Sequence, residues 1–375
     1  MIIQAFIRWL ETAAVGDRAK AANALARVYL ASRLKPEQQQ AALLAMSHLL
    51  DDPAPQVRLG LARGLAADPA APRSIILALA EDQPEIACTV IACSPAFQDA
   101  DLVDVIGRGD GLTRGLIATR SGLSRAACAA LVEVGEVADI VLLLENATAA
   151  LSRGSLARTA ERFGHDAEVR QLLLDRADVP AEVRQRLVSK LGEALAQSGL
   201  VSGVLGGPRL ERLTAEATEA ATLTIAGAAS RAELPALVEY MRGSGNLTPA
   251  LLVHALCTGK ADFLSEAMAA LSGLDEPRVR ALLASGRAPA VRALFQSAGL
   301  HRDVATVFVA GTLLWRQAGM METAAGICEK LLSECRPLRE KSAIVSDLLE
   351  IVDRLQRSEL RAAARSYALE TALAA

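Results

Sequence analysis

Aromatic side chains are scarce in this chain: two Trp, three Tyr and six Phe make up 3% of 375 residues. That disfavours a sheet rich in Tyr, Val and Ile, and the dominant Ala, Leu, Arg and Glu favour close helix packing through small side chains. A charge excess is also missing. The net charge is −3, whereas a chain that neutralises many phosphates carries a basic surplus, so nucleic acid is disfavoured as a partner. No apolar run reaches the ~18–20 residues of a membrane span. The opening MIIQAFIRWLETAAVGDRAK sets Arg8 and Glu11 among its apolar residues and has no basic leader, so it reads as an amphipathic first helix with Ile3, Phe6, Ile7 and Leu10 on one stripe, not as a cleaved signal peptide. Six cysteines, Cys88, Cys93, Cys128, Cys257, Cys328 and Cys335, form no CxxC pair. They are expected to be reduced, mostly buried thiols in a cytoplasmic protein.

What the chain does have is a repeat. Helix-like segments close at Ala67-Asp68, Cys93-Ser94, Thr119-Arg120 and Glu145-Asn146, and Leu65, Ile91, Ile117 and Leu143 fall in one register. Such a unit cannot bury its apolar face alone, so neighbouring units are expected to stack. Each is expected to pair a first helix (57–67, 86–93, 112–119, 137–145) with a second (72–81, 101–107, 124–134, 152–163), separated by proline-containing turns. A last unit, 165–192, is out of step: Asp175-Arg176 comes late after Asn146, which implies an insertion near Gly154 or Phe163-Gly164-His165. The expected organisation is an N-terminal helical region at 1–52, the array at 53–197, a glycine-rich linker at 198–208, a helical C-terminal domain at 209–336 and a terminal helix at 337–375. The terminal helix carries Leu338, Val345 and Val352 at heptad spacing, with Leu348 and Leu355 between. Two heptads favour a packed helix, and self-association through it is the minority alternative.

The stretch Asp51-Asp52-Pro53-Ala54-Pro55-Gln56-Val57-Arg58-Leu59-Gly60-Leu61-Ala62, with Ala71-Pro72-Arg73-Ser74-Ile75-Ile76, Cys93-Ser94-Pro95, Ala118-Thr119-Arg120 and Leu144-Glu145-Asn146, resembles an uncharacterised bacterial family, mostly alphaproteobacterial, catalogued as domain of unknown function 2336. The resemblance covers about 50–300, because Asn246-Leu247-Thr248-Pro249, His254-Ala255-Leu256 and Ala298-Gly299-Leu300 are also similar to its later segments. It implies HEAT-like helical pairs and a role in bacterial signalling. It brings no functional residues.

Candidate chemistry is sparse. His254 and Cys257, three apart on a helix, could face one metal, but a site needs three or four ligands, so a core histidine beside a buried thiol is the better reading. Cys328 and Cys335 share a helix face at ~10 Å separation, beyond disulfide reach. The glycines of 199–207 lack a following Gly-Lys-Ser/Thr, and read as a linker rather than a phosphate cradle. Gly243-Ser244-Gly245 has no nucleophile-elbow context, and no Ser/His/Asp or Cys/His set is supported. No catalytic residue, cofactor or metal is expected. Arginines recur along the array, and Arg73, Arg125 and Arg158 are the candidate partner-binding residues of a face built from one helix layer. Arg120 and Arg176, in equivalent turns, are expected to bond helix-end carbonyls instead.

The expected fold is therefore all-α, a HEAT-like helical-repeat solenoid with a further helical C-terminal region. The expected function is a protein-interaction scaffold or adaptor, its partner another protein such as a signalling component. The alternative is a small-molecule-binding protein or enzyme with a pocket between array and C-terminal region, walled by Trp315, Phe308, Tyr240 and His254. Nucleic-acid binding through an arginine-lined groove, as in some HEAT-like DNA repair proteins, ranks last.

Overall fold

A computed structural model describes residues 2–31, 34–199, 203, 206–318 and 322–374, excluding the side chains of 2–4 and 369–374. The Ile3 side chain and part of the expected linker, 200–202 with 204 and 205, lie outside the described residues. Among those residues there are 22 α-helices and no strand, and none of the helices is long and apolar enough to cross a membrane. Contacts divide the chain into two compact units, Met1–Val179 and Pro180–Ala375.

The first unit contains α1 (Ile2–Thr12), α2 (Val15–Ala31), α3 (Pro36–Leu50), α4 (Pro55–Leu65), α5 (Arg73–Ala80), α6 (Pro84–Ile91), α7 (Asp99–Arg108), α8 (Gly111–Ala118), α9 (Arg125–Val134), α10 (Val137–Glu145), α11 (Arg153–Phe163) and α12 (Ala167–Asp175). Local chemistry sets their starts. Proline opens α3, α4 and α6, where its missing N–H costs nothing. Asp110, Ser124 and Ser152 cap α8, α9 and α11 by accepting a hydrogen bond from the backbone N–H three residues on, each cap worth about 1 kcal/mol.

Alternate helices pack side by side. α2 lies on α4, α4 on α6, α6 on α8, α8 on α10 and α10 on α12, while α3 meets α5, α7 meets α9 and α9 meets α11. Leu65, Ile91, Ile117 and Leu143, the residues of the sequence register, are all buried near the ends of α4, α6, α8 and α10. Ile75, Ile76, Leu79, Ile106, Leu131 and Leu156 of the second helices are buried as well. The approach of α2 to α4 depends on small residues: Ala22, Ala26 and Ala62 are fully buried, and a β-carbon at Gly60 would fall 2.5 Å from the Ala19 carbonyl oxygen.

The second unit holds α13 (Ala181–Gln197), α14 (Gly207–Ala228), α15 (Leu234–Gly243), α16 (Pro249–Cys257), α17 (Ala261–Ser272), α18 (Glu276–Ser285), α19 (Ala288–Ser297), α20 (Arg302–Gln317), α21 (Ala324–Arg339) and α22 (Ala343–Ala374). Helix α13 packs on α14 and α15. Short α16 buries Leu251, Leu252, Val253, Ala255, Leu256 and Cys257, nearly its whole circumference, as a helix enclosed by others must. It touches α17, α20, α21 and α22. Phe295 and Phe308 meet at 5.2 Å between ring centroids and are fully buried. Helix α21 continues through Pro337 to Arg339. On α22 the heptad residues Val345 and Val352, with Leu348 and Leu355, pack into this core.

The same substitution should have opposite effects at two helical glycines. Gly60→Ala must displace α2 backbone and should lower the thermal midpoint of the intact chain, by about 1–3 kcal/mol of stability. Gly107→Ala, on exposed α7 surface with nothing within 4 Å of the added carbon, should hold or raise it by up to about 1 kcal/mol. Thermal denaturation of the two variants measures the difference.

Candidate functional site

The recurring arginines of the first unit are largely engaged with neighbouring helices. Arg73 on α5 forks onto Asp101 on α7, with Nε to Oδ2 at 2.9 Å. Arg158 on α11 bonds Glu133 on α9 at 3.0 Å and Glu161 at 2.9 Å. Arg58 bonds Asp82 at 2.6 Å, and Arg18 bonds Asp52 at 2.9 Å. The guanidinium of Arg73 holds the Asp101 carboxyl below the usual carboxylate range, and Arg58 does the same for Asp82. Arg125 differs. It is exposed at the first position of α9 and makes no side-chain bond among the described residues. The structure thus joins α9 and α11 through Arg158, joins α5 and α7 through Arg73, and leaves Arg125 free.

A second set of side chains reaches back to helix ends. Arg120, just after α8, donates to the carbonyls of Ile91, at the end of α6, and Ser94, the latter at 2.6 Å. Asn146, just after α10, donates to Ala118 and Arg120 carbonyls at 2.8 and 2.7 Å. Arg176, just after α12, donates to Leu144 at 3.4 Å. Arg120 and Arg176 therefore hold the helix-end carbonyls expected of them, and Asn146 is a further member that the sequence reading passed over.

Clefts occur in both units, and three in the second unit gather side chains that could serve a ligand. The first, about 410 Å³, is lined by Leu256, Gly259, Lys260, Leu264, Arg280, Leu283, Ala284, Trp315 and Arg316 among others. Its indole wall is fixed: Trp315 Nε1–H donates to the Leu256 carbonyl at 2.6 Å. Gly259 adopts φ 70°, a conformation that disfavours any side chain, and a β-carbon there would fall 3.1 Å from the ring. The second cleft, about 370 Å³, is polar, lined by Gln185, Ser189, Glu193, Glu211, Thr214, Thr218, Glu219 and Thr222 among others. The third, about 240 Å³, brings His254 near Arg212, Glu216, Glu219, Arg354 and Glu359. Burial lowers the His254 pKa from 6.5 to about 4. Burial, and then Glu216, raise that of Glu219.

The four residues expected to wall one pocket do not meet in one. Trp315 lines the first cleft and His254 the third, Phe308 lies in the core, and Tyr240 stacks beneath Arg186 at 5.1 Å. Cys257, Cys328 and Cys335 are buried. The neighbouring Cys328 thiol, together with burial, pushes the Cys257 thiol pKa up. Among the described residues no group of three or more His, Cys, Asp or Glu side chains could hold a metal ion.

A family model for an uncharacterised protein conserved in bacteria, DUF2336, matches residues 86–344, more than half of the chain. The chain belongs to this family. No curated protein and no solved structure matches it. The DUF2336 match begins within the helix pairs of the first unit, spans the lining of the first two of these clefts and ends at the start of α22, before the Ile351–Glu359 side of the third.

Two measurements check these assignments. Asn146→Ala strips two helix-end carbonyls of their donor and should cost about 1–3 kcal/mol in denaturant unfolding. His254 is neutral in the fold and titrates ordinarily when unfolded. Its contribution is therefore complete above pH 6.5 and is lost as pH falls toward about 4. His254→Gln should remove up to about 2 kcal/mol of the stability difference between pH 7.5 and pH 5.

Proposed function

We propose that this DUF2336 protein is a protein-interaction scaffold or adaptor whose first unit is a HEAT-like helical-repeat solenoid. The observation that carries the reading is the succession of alternate-helix contacts from α2 to α12. In a structure built this way each pair touches only its neighbours, and one layer of helices forms an extended binding face. The second helices, α5, α7, α9 and α11, are that face, and Arg73, Arg125 and Arg158 lie on it. Its partner is another protein, such as a bacterial signalling component, and its setting is the cytoplasm, in keeping with free cysteines of which four are buried. The ion pairs of Arg73 and Arg158 make those two residues part of the scaffold's own construction. Arg125 is the residue on which recognition can be tested without disturbing the fold.

A second reading, a small-molecule-binding protein, is favoured by one observation, the apolar cleft beside fixed Trp315. The two readings concern different units and are compatible.

Arg125→Glu tests the scaffold. An acidic residue in the first turn of α9 suits the helix dipole, so the thermal midpoint should be unchanged. Quantitative affinity capture with the intact chain should recover a stoichiometric partner whose yield falls at least about tenfold with Arg125→Glu. Equal recovery by both proteins would remove Arg125, and the face it marks, from the interaction.

A further inference from the structure

We propose that the cleft beside Trp315 binds an amphipathic anion, a small molecule with an apolar body and one carboxylate or phosphate head. The site lies wholly in the second unit and does not depend on the scaffold reading, so either can fail without the other.

The cleft's volume of about 410 Å³ lies within the range of about 300–1,000 Å³ typical of small-molecule sites. Leu256, Leu264, Leu283, Ala284 and Trp315 supply an apolar lining, and among the described residues the only ionisable lining groups are Lys260, Arg280 and Arg316. All three are cations. Arg280 is already neutralised: it bonds Asp262 at 2.7 Å and also pairs with Glu276. Lys260 and Arg316 make no side-chain hydrogen bond or ion pair among the described residues, and no carboxylate is among the described lining groups. Two uncompensated cations beside an apolar wall repel each other weakly and attract a counter-charge that brings its own apolar surface.

The wall is preformed. Trp315 is held by its bond to the Leu256 carbonyl, and the turn at Gly259 closes against the indole face. Little ordering remains to be done on binding, which favours affinity. Charge also separates this cleft from the polar one. Glu193, Glu211 and Glu219 line the latter without a Lys or Arg, so an anion is repelled there and drawn to Trp315.

Calorimetric titration of the full chain with octanoate, octyl phosphate and octanol tests the proposal. Both anions should bind, and Lys260→Met and Arg316→Met should each weaken them about tenfold while leaving octanol unchanged. Arg316 and Ala284 are exposed and Lys260 is half-buried, so these variants spare the core. Ala284→Trp should fill the cleft and abolish binding of all three compounds. A preference for octyl phosphate would assign a phosphate head, and a preference for octanoate a carboxylate. The proposal is overturned if octanol binds as tightly as the anions or if both Met variants bind like the parent. Binding of neither anion at about 1 mM, or binding that survives Ala284→Trp, would overturn it as well.

Discussion

The last turn of every α-helix leaves carbonyls that its own helix cannot satisfy. At the ends of α4, α6, α8 and α10 some of those carbonyls are met by a side chain from the next helix pair, and much of the arrangement follows from that. Arg120 serves the end of α6, Asn146 the end of α8 and Arg176 the end of α10, while the Cys93 thiol contacts the Ala66 carbonyl after α4 at 3.9 Å. The donor in each case sits just beyond its own first helix. The spacing of the repeat is thus the chain length that returns a donor to the preceding helix end. A buried carbonyl left without a partner costs about 1–3 kcal/mol, so the repeat length is held by energy as well as by packing.

Ion pairs between the second helices work in parallel. Arg73 with Asp101 and Arg158 with Glu133 each join residues one repeat apart. Asp101 has a further role, since it also accepts from the Gln98 N–H at 2.8 Å and so closes the first turn of α7. One carboxylate therefore fixes a helix start and a helix-to-helix contact.

The sequence was most legible where one period controls both burial and chain direction. Leu65, Ile91, Ile117 and Leu143 share a register near the ends of successive first helices, and all four are buried. The equivalence of Arg120 and Arg176 was readable for the same reason. Asn146 was not, because an asparagine after a helix reads as a stop signal, and its amide reaches Ala118 only once α8 and α10 are side by side. The cleft beside Trp315 was less legible still. Gly259, Arg280 and Trp315 belong to three parts of the second unit, and no periodicity links them. Residue type alone grouped Trp315 with Phe308, yet Phe308 faces Phe295 in the core. Cys328 and Cys335 were rightly placed on one buried helix face, but the approach of Cys257 from α16 is a tertiary fact.

The donors that follow α8, α10 and α12 point the same way: Arg120, Asn146 and Arg176 each bond a helix that precedes them in the chain. The series accordingly has a polarity. Removing a pair from the carboxyl end takes away a donor and strands carbonyls beneath packed helices, whereas removing one from the amino end releases an arginine or asparagine that water can solvate. During synthesis the ends of α6, α8 and α10 emerge before the donors that complete them, so these joints close in the order in which they are made.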